Sequence, residues 1–189
     1  MPYPIVNSII SWFLKKRIHQ IELFLKYPND VQEELLFKLL HTAKNTEYGK
    51  ENGFAFIKTY AEFAEKVPIQ KYESFEPLIE RCRKGEQNLF WPTKIKWFAK
   101  SSGTTNAKSK FIPVSDEALE YCHMKAGKDM LCLYINNNPK TQLFVGKGLR
   151  LGGSSEVYKD NNSYFGDLSA IITEKLPFWA DFSSTPSQE

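Results

Sequence analysis

The spacing of apolar residues divides the chain into a helical first part and a mixed second part. Ile10, Leu14, Ile18, Ile21 and Leu25 recur at helical intervals and predict one amphipathic helix ending before Pro28. Asp30 and Glu33 stand at capping-box spacing and predict a second helix, with Val31, Leu35, Leu39 and Ala43 as its buried stripe. "EYGKENGF" reads as a turn-rich break, after which Thr59 and Glu62 frame a short helix over "YAEFAEKV" that Pro68 stops. A further helix is expected over "SFEPLIERCRK", with Ser74 as N-cap, Pro77 in the first turn and Gly85 at the far end.

The period changes at "NLFWPTKIKWFAK". Lys94, Lys96 and Lys100 fall on one side of an alternation and Ile95, Trp97 and Ala99 on the other, predicting a strand with one wet face. "KFIPV" predicts a second strand, and Ser115 then caps a helix over "DEALEYCHMKAGKDMLCLYI", with Asp116 and Glu117 complementing its dipole. Leu119, Cys122, Ala126, Met130 and Leu133 form its apolar stripe, and His123 and Met124 beside it read as packing residues. "TQLFV" and "LRL" look like strands, "GGSSEVYKDNNSYFGDLSAI" looks irregular until its end, and "DFSSTPSQE" reads as a tail or a cut. The expected fold class is α/β (mixed α+β): residues 1–85 mainly helical, leading into a mixed sheet of strands and helices over 86–189.

Composition narrows the class without naming a function. A chain of 189 residues is long enough for one domain that buries roughly two thirds of its unfolded surface. With 42% hydrophobic and 25% charged residues it is set apart from disordered, collagenous and membrane classes. The net charge of +3 is too small to argue for a polyanionic partner. Cys82, Cys122 and Cys132 are far apart and offer no paired spacing, which suits a reducing compartment and assembles no structural zinc site. Cys82 lies in "ERCRKGE", where neighbouring cations favour a reactive thiolate, against the plainer reading of a solvated helix face. At the N-terminus an apolar stretch precedes Lys15, Lys16 and Arg17, the wrong order for a secretory signal and too short to span a bilayer. A cytoplasmic location is therefore expected, with the first helix packed on its own domain rather than on a membrane surface.

The chemistry concentrates in "WFAKSSGTTNAKSKFIPVS". Ser101, Ser102, Thr104 and Thr105 offer hydroxyls, Gly103 lets backbone amides approach an oxyanion, and Lys108 and Lys110 supply countercharge, which together suit a polyphosphate. A Walker-type loop is excluded, because "GTTNAKS" is one residue short, lacks the second glycine and precedes a strand. "GKGLRLGG" places Leu151 where a dinucleotide fingerprint needs its third glycine. Two other readings of the loop stay open at this level. One is a solvated hairpin, and the other is a single-stranded nucleic-acid platform, although Trp97 alternates away from the lysines.

Here a resemblance becomes specific. "KSSGTTNAKSKFIPVS" resembles the phosphate-binding loop of adenylate-forming enzymes, and "TEYGKENGF", "VPIQKYESFEPLIERCRKGEQNLFWP" and "GDLSAI" resemble, in order and spacing, the auxin-responsive Gretchen Hagen family of acyl-acid amido synthetases. The resemblance implies ATP-dependent activation of a carboxylic acid to an acyl-adenylate, followed by amide formation with an amine or amino acid. It implies ATP and Mg2+ as cofactors, with Ser101, Ser102, Gly103, Thr104, Thr105 and Lys110 holding the nucleotide phosphates and no residue assigned to proton transfer. No nucleic-acid or membrane partner is implied. Asn106 and Ala107 stand where the family carries paired small glycines, which stiffens the loop. The family's later glutamate and aspartate motifs and its mobile C-terminal domain find no match before Glu189. The chain is therefore expected to be part of the large N-terminal domain, inactive alone. The stretch "LGGSSEVYKDNNSYFGDLSAI" is a candidate acyl-pocket lining, with Tyr158, Tyr164 and Phe165 as an apolar wall, against a plain loop over the sheet. The alternative to the enzyme is a non-catalytic nucleotide or single-stranded nucleic-acid binding module using loop 100–110.

Overall fold

The computed structural model describes residues 4–101, 109–149, 156–160, 162–176 and 184–185. Its first part is helical: α1 (Pro4–Lys15), α2 (Ile18–Lys26), α3 (Pro28–Ala43), α4 (Glu47–Glu51), α5 (Tyr60–Lys66) and α6 (Tyr72–Arg83), with a 3₁₀ turn at Phe54–Phe56. The single predicted first helix is thus two. Arg17, at the break, is drawn into a forked pair with Asp129, Nε to Oδ1 at 2.6 Å and Nη2 to Oδ2 at 3.0 Å. Leu14 is buried, whereas Leu25, assigned to the same stripe, is 79% exposed. α1 packs on α8 (Lys125–Asn137), and its Asn7 side chain donates to the Thr141 carbonyl and accepts from the Phe144 amide, both at 3.1 Å. Among the described residues no helix is long and apolar enough to cross a membrane.

α3 starts at Pro28 rather than after Asp30, because proline needs no amide partner in a first turn and Asp30 instead sits inside that turn. Its buried residues are Leu40 and Ala43, while Leu35 and Leu39 stay exposed. The "break" that follows contains a real helix, α4. Buried Thr46 caps it, accepting from the Gly49 amide at 3.0 Å while donating to the Ala43 carbonyl at 2.7 Å. The Thr59 and Glu62 frame forms: the Thr59 hydroxyl accepts from the Glu62 amide at 3.1 Å, and the Glu62 carboxylate accepts from Lys58 at 2.7 Å. α6 begins at Tyr72 with Lys71 before it, so Ser74 is inside the helix and not its cap. Gly85, beyond its end, takes a φ of 103°, a left-handed turn that glycine tolerates without Cβ strain.

The second part builds a four-stranded mixed sheet in the order β2-β1-β5-β4 from β1 (Trp97–Lys100), β2 (Phe111–Val114), β4 (Val157–Asp160) and β5 (Ser163–Gly166). β1 pairs antiparallel with β2 and parallel with β5, and β4 pairs antiparallel with β5. β3 (Gly148–Leu149) pairs with β6 (Ser184–Thr185), so part of the expected tail is in a sheet. "TQLFV" is a turn and no strand, and the region expected to be irregular supplies the β4–β5 hairpin before α9 (Leu168–Glu174).

Both faces of β1 are covered, which corrects the expected wet face. Trp97 and Ala99 pack with Val114, Leu119 and Ile171, while Phe98, with no exposed surface, packs on the opposite side with Cys82, Leu89 and Ile95. Lys96 and Lys100 share Phe98's parity, yet the α6 side of the sheet is closed between them.

Ser115 caps α7 (Asp116–Ala118) as expected, accepting from the Ala118 amide at 3.1 Å. A π-helical segment, Leu119–Met124, then separates α7 from α8. A π turn inserts one residue into the helical repeat and rotates everything after it. The predicted stripe accordingly fails beyond Leu119: Cys122, Met130 and Leu133 are exposed, and Cys132 and Ile135 are buried instead.

Cys82 is buried, and burial pushes its thiol up to about 11, which removes the activated-thiolate reading. Under native conditions at neutral pH, iodoacetamide is expected to modify exposed Cys122 first and to leave Cys82 intact; peptide mapping that finds Cys82 modified as fast would overturn this packing.

Candidate functional site

The β1–β2 hairpin brings the two described ends of the Ser/Thr/Lys loop together. The Ser101 amide donates to the Lys110 carbonyl at 2.9 Å, and the Lys110 amide donates to Ser101 Oγ at 3.3 Å. Ser102, Gly103, Thr104, Thr105 and Lys108 lie outside the described residues. Of the six residues expected at the phosphates, the described geometry therefore concerns Ser101 and Lys110.

β2 is an edge strand, and its alternation explains how it is held. Because Ser101 and Lys110 bond to each other, Phe111, one residue on, turns its amide and carbonyl away from β1 toward the free edge. The Tyr72 hydroxyl meets both: it accepts from the Phe111 amide at 2.9 Å and donates to the Phe111 carbonyl at 3.2 Å. Pro113 has the same outward parity, so its missing amide falls where no strand needs it. The Arg83 guanidinium lies over the Phe111 ring at 3.8 Å, and Ser163 Oγ donates to the Arg83 carbonyl at 2.7 Å, which ties the far end of α6 to β5. The Tyr72→Phe change is expected to cost about 1 to 2 kcal/mol in denaturant unfolding, the worth of an exchanged hydrogen-bond pair. An unchanged midpoint would show that water serves the edge equally well.

Tyr72 and its neighbour Glu73 also frame the lysine. The Lys110 ammonium sits 4.9 Å from the centre of the Tyr72 ring and 3.2 Å from Glu73 Oε1, with the two side chains 44% and 64% exposed. The Glu73 carboxyl is held below its ordinary value, first by a backbone hydrogen bond at the start of α6 and then by Lys110. Neither residue was singled out from the sequence. "KYE" opens α6 and gives no local sign that Tyr72 meets a strand 39 residues on.

Beside the clamp runs an apolar groove of about 390 Å³ whose lining includes Tyr72, Phe75, Phe90, Trp91, Phe111 and Ile112. The expected acyl wall is arranged differently. Tyr164 stacks on Trp97 at 4.8 Å, whereas Tyr158 stacks on Phe165 at 5.7 Å and Phe165 meets Phe111 edge-on at 5.9 Å, so the three aromatics divide between the two faces of the sheet. Trp97, only 9% exposed, presents no face on which a base could stack.

A helical first part leading into a mixed sheet is a fold that this chain shares with solved acyl acid amido synthetases. A solved GH3.15 acyl acid amido synthetase superposes with a TM-score of 0.70 at 21% identity, over 85% of this chain and 29% of that one. The AtGH3.15 enzyme in complex with 2,4-DB superposes at 0.65 with 22% identity, over 91% and 29%. The GH3 family N-terminal domain matches residues 17–189, and the chain belongs to that family. Among curated relatives, the jasmonoyl--L-amino acid synthetase JAR6 of Nicotiana attenuata is 35% identical over 56% of this chain and 18% of its own length. The indole-3-acetic acid-amido synthetase GH3.2 of Arabidopsis thaliana is 32% identical over 56% and 19%. The chain thus spans a small part of the proteins it matches.

Proposed function

We propose that residues 1–189 form the nucleotide- and acyl-facing part of the N-terminal domain of an ATP-dependent acyl-acid amido synthetase. The carboxylate of a small organic acid attacks the α-phosphorus of ATP to give acyl-AMP and pyrophosphate. An amine, as in an amino acid, then attacks the acyl carbon, forms the amide and expels AMP. The observation that carries this reading is the hairpin that sets the Ser101 hydroxyl and the half-exposed Lys110 ammonium at one loop base. Hydroxyl, amide and ammonium donors at a strand-to-strand turn suit a polyphosphate, with Ser102, Gly103, Thr104 and Thr105 proposed to complete the cradle. Mg2+, when bound, supplies further neutralisation of the phosphates; among the described residues no group of three His, Cys, Asp or Glu side chains is arranged to hold it.

Adenylation needs little proton chemistry at this loop. Negative charge grows on departing pyrophosphate, and preorganised donors aimed at it lower the barrier. The chemistry of the acid and of the amine is proposed only at the level of class, by analogy with the relatives' jasmonate and indole-3-acetate names.

Calorimetric titration of the 189-residue chain with magnesium ATP tests the reading. Saturable binding, unaffected by single-stranded oligonucleotide, is expected. Oligonucleotide affinity that collapses with salt, without ATP competition, would replace it with a nucleic-acid module. The chain alone is expected to form no amide, and turnover by it would refute the proposed dependence on the remainder of a longer synthetase.

A further inference from the structure

We propose that Glu73 is the resident counter-ion of Lys110, a positioning residue that holds the ammonium at the loop base and is displaced by the incoming polyphosphate. The proposal rests on the phosphate-binding reading of the hairpin and adds to it a competitor built into α6. Two geometric facts carry it. Tyr72 fixes the strand directly after Lys110 through both main-chain groups of Phe111, so the lysine backbone has a set origin relative to α6. Glu73, the next residue on the helix, then reaches the ammonium at 3.2 Å while the Tyr72 ring lies beneath it at 4.9 Å. A long lysine side chain is thereby kept at one place instead of sampling solvent, which lowers the ordering cost of gripping an anion there.

The same contact is weak enough to yield. Both partners are substantially exposed, at 44% and 64%, and such pairs contribute little against water. A polyphosphate brings several negative charges to one ammonium and outcompetes a single carboxylate, whereas Glu73 left in place repels it. Glu73 therefore has opposite effects on two steps: it preorganises the lysine before binding and opposes the anion on arrival. The arrangement also keeps Lys110 paired while no nucleotide is bound. Lys71, which also stabilises the Glu73 carboxylate, keeps that side chain in cationic surroundings once Lys110 is drawn away.

The test is calorimetric titration of the 189-residue chain with magnesium-free tripolyphosphate. Glu73→Gln, an exposed change that preserves shape, is expected to tighten binding about two- to five-fold, the scale of an exposed ion pair. In the Lys110→Ala background only the direct repulsion is left to relieve, so the same change is expected to produce a smaller gain, and a gain of equal size would overturn the pairing with Lys110. Unchanged or weaker binding by Glu73→Gln, while the parent chain binds, overturns the counter-ion proposal and leaves the phosphate reading standing. Failure of the parent chain to bind tripolyphosphate at all overturns the phosphate reading, and this proposal with it.

Discussion

Lys110→Ala, in a full-length family member carrying this N-terminal portion, is expected to lower carboxylate-dependent ATP–pyrophosphate exchange about 10²-fold, or about 2.7 kcal/mol of barrier. The magnitude is that of removing one preorganised donor from a site where charge develops. Lys110 is suited to this because its backbone is locked on both sides, to Ser101 within the hairpin and through Phe111 to Tyr72, while its ammonium remains partly exposed. Losing a contact that strengthens as pyrophosphate leaves lowers kcat, whereas losing one equally strong to bound ATP raises KM alone, so the split reports when the contact is made. Lys96→Ala serves as a control, since Lys96 is exposed and precedes the strand. Exchange that is unchanged in Lys110→Ala would remove this lysine from the mechanism.

The largest stability loss is expected from Gly49→Ala. A Cβ at this position would stand 2.1 Å from the Ala43 carbonyl oxygen and 3.0 Å from Thr46 Oγ1. Neither neighbour can withdraw cheaply. Ala43 ends α3 and accepts from the buried Thr46 hydroxyl, and the turn between them is docked by Glu47 and Tyr48 amides on the Asn88 and Leu89 carbonyls, both at 3.0 Å. Arg81 adds a second tie, bonding the Glu47 carboxylate from Nη1 at 2.6 Å and from Nη2 at 2.8 Å. Overpacking against main chain is expected to cost about 3 kcal/mol, with Tm falling by roughly 6 °C or more. A thermal midpoint within error of the parent would mean that α3 and α4 can separate without loss.

Signals that depend on near neighbours were legible. Thr59 and Ser115 cap the helices they were expected to cap, because a hydroxyl reaching an amide three residues on is settled within one turn. The strand at Phe111–Val114 and the helical character of most of the first part also follow from local pattern. Choices among equivalent patterns were not legible. Leu35 and Leu39, or Leu36 and Leu40, both keep helical spacing, and only the packing of α3 on its neighbours selects Leu40 for burial. A residue inserted by the π segment rotates α8 about its axis and changes which residues face inward, an event that periodicity assumes away. The β4–β5 hairpin carries a Tyr/Phe-rich run split by asparagines, but its strands are stabilised by β1, far earlier in the chain.

The amino-acid sequence by itself determined the chemical character of this protein: a hydroxyl- and lysine-bearing turn between two strands, and a likeness along the chain to one family of synthetases. The tertiary structure alone decided which groups act on that turn. Tyr72 and Glu73 meet Phe111 and Lys110 because α6 crosses the free edge of β2, a contact spanning 39 residues that no local rule encodes. Hydroxyl and ammonium chemistry is a property of single residues, whereas their placement and countercharge arise only when distant segments share one packed edge.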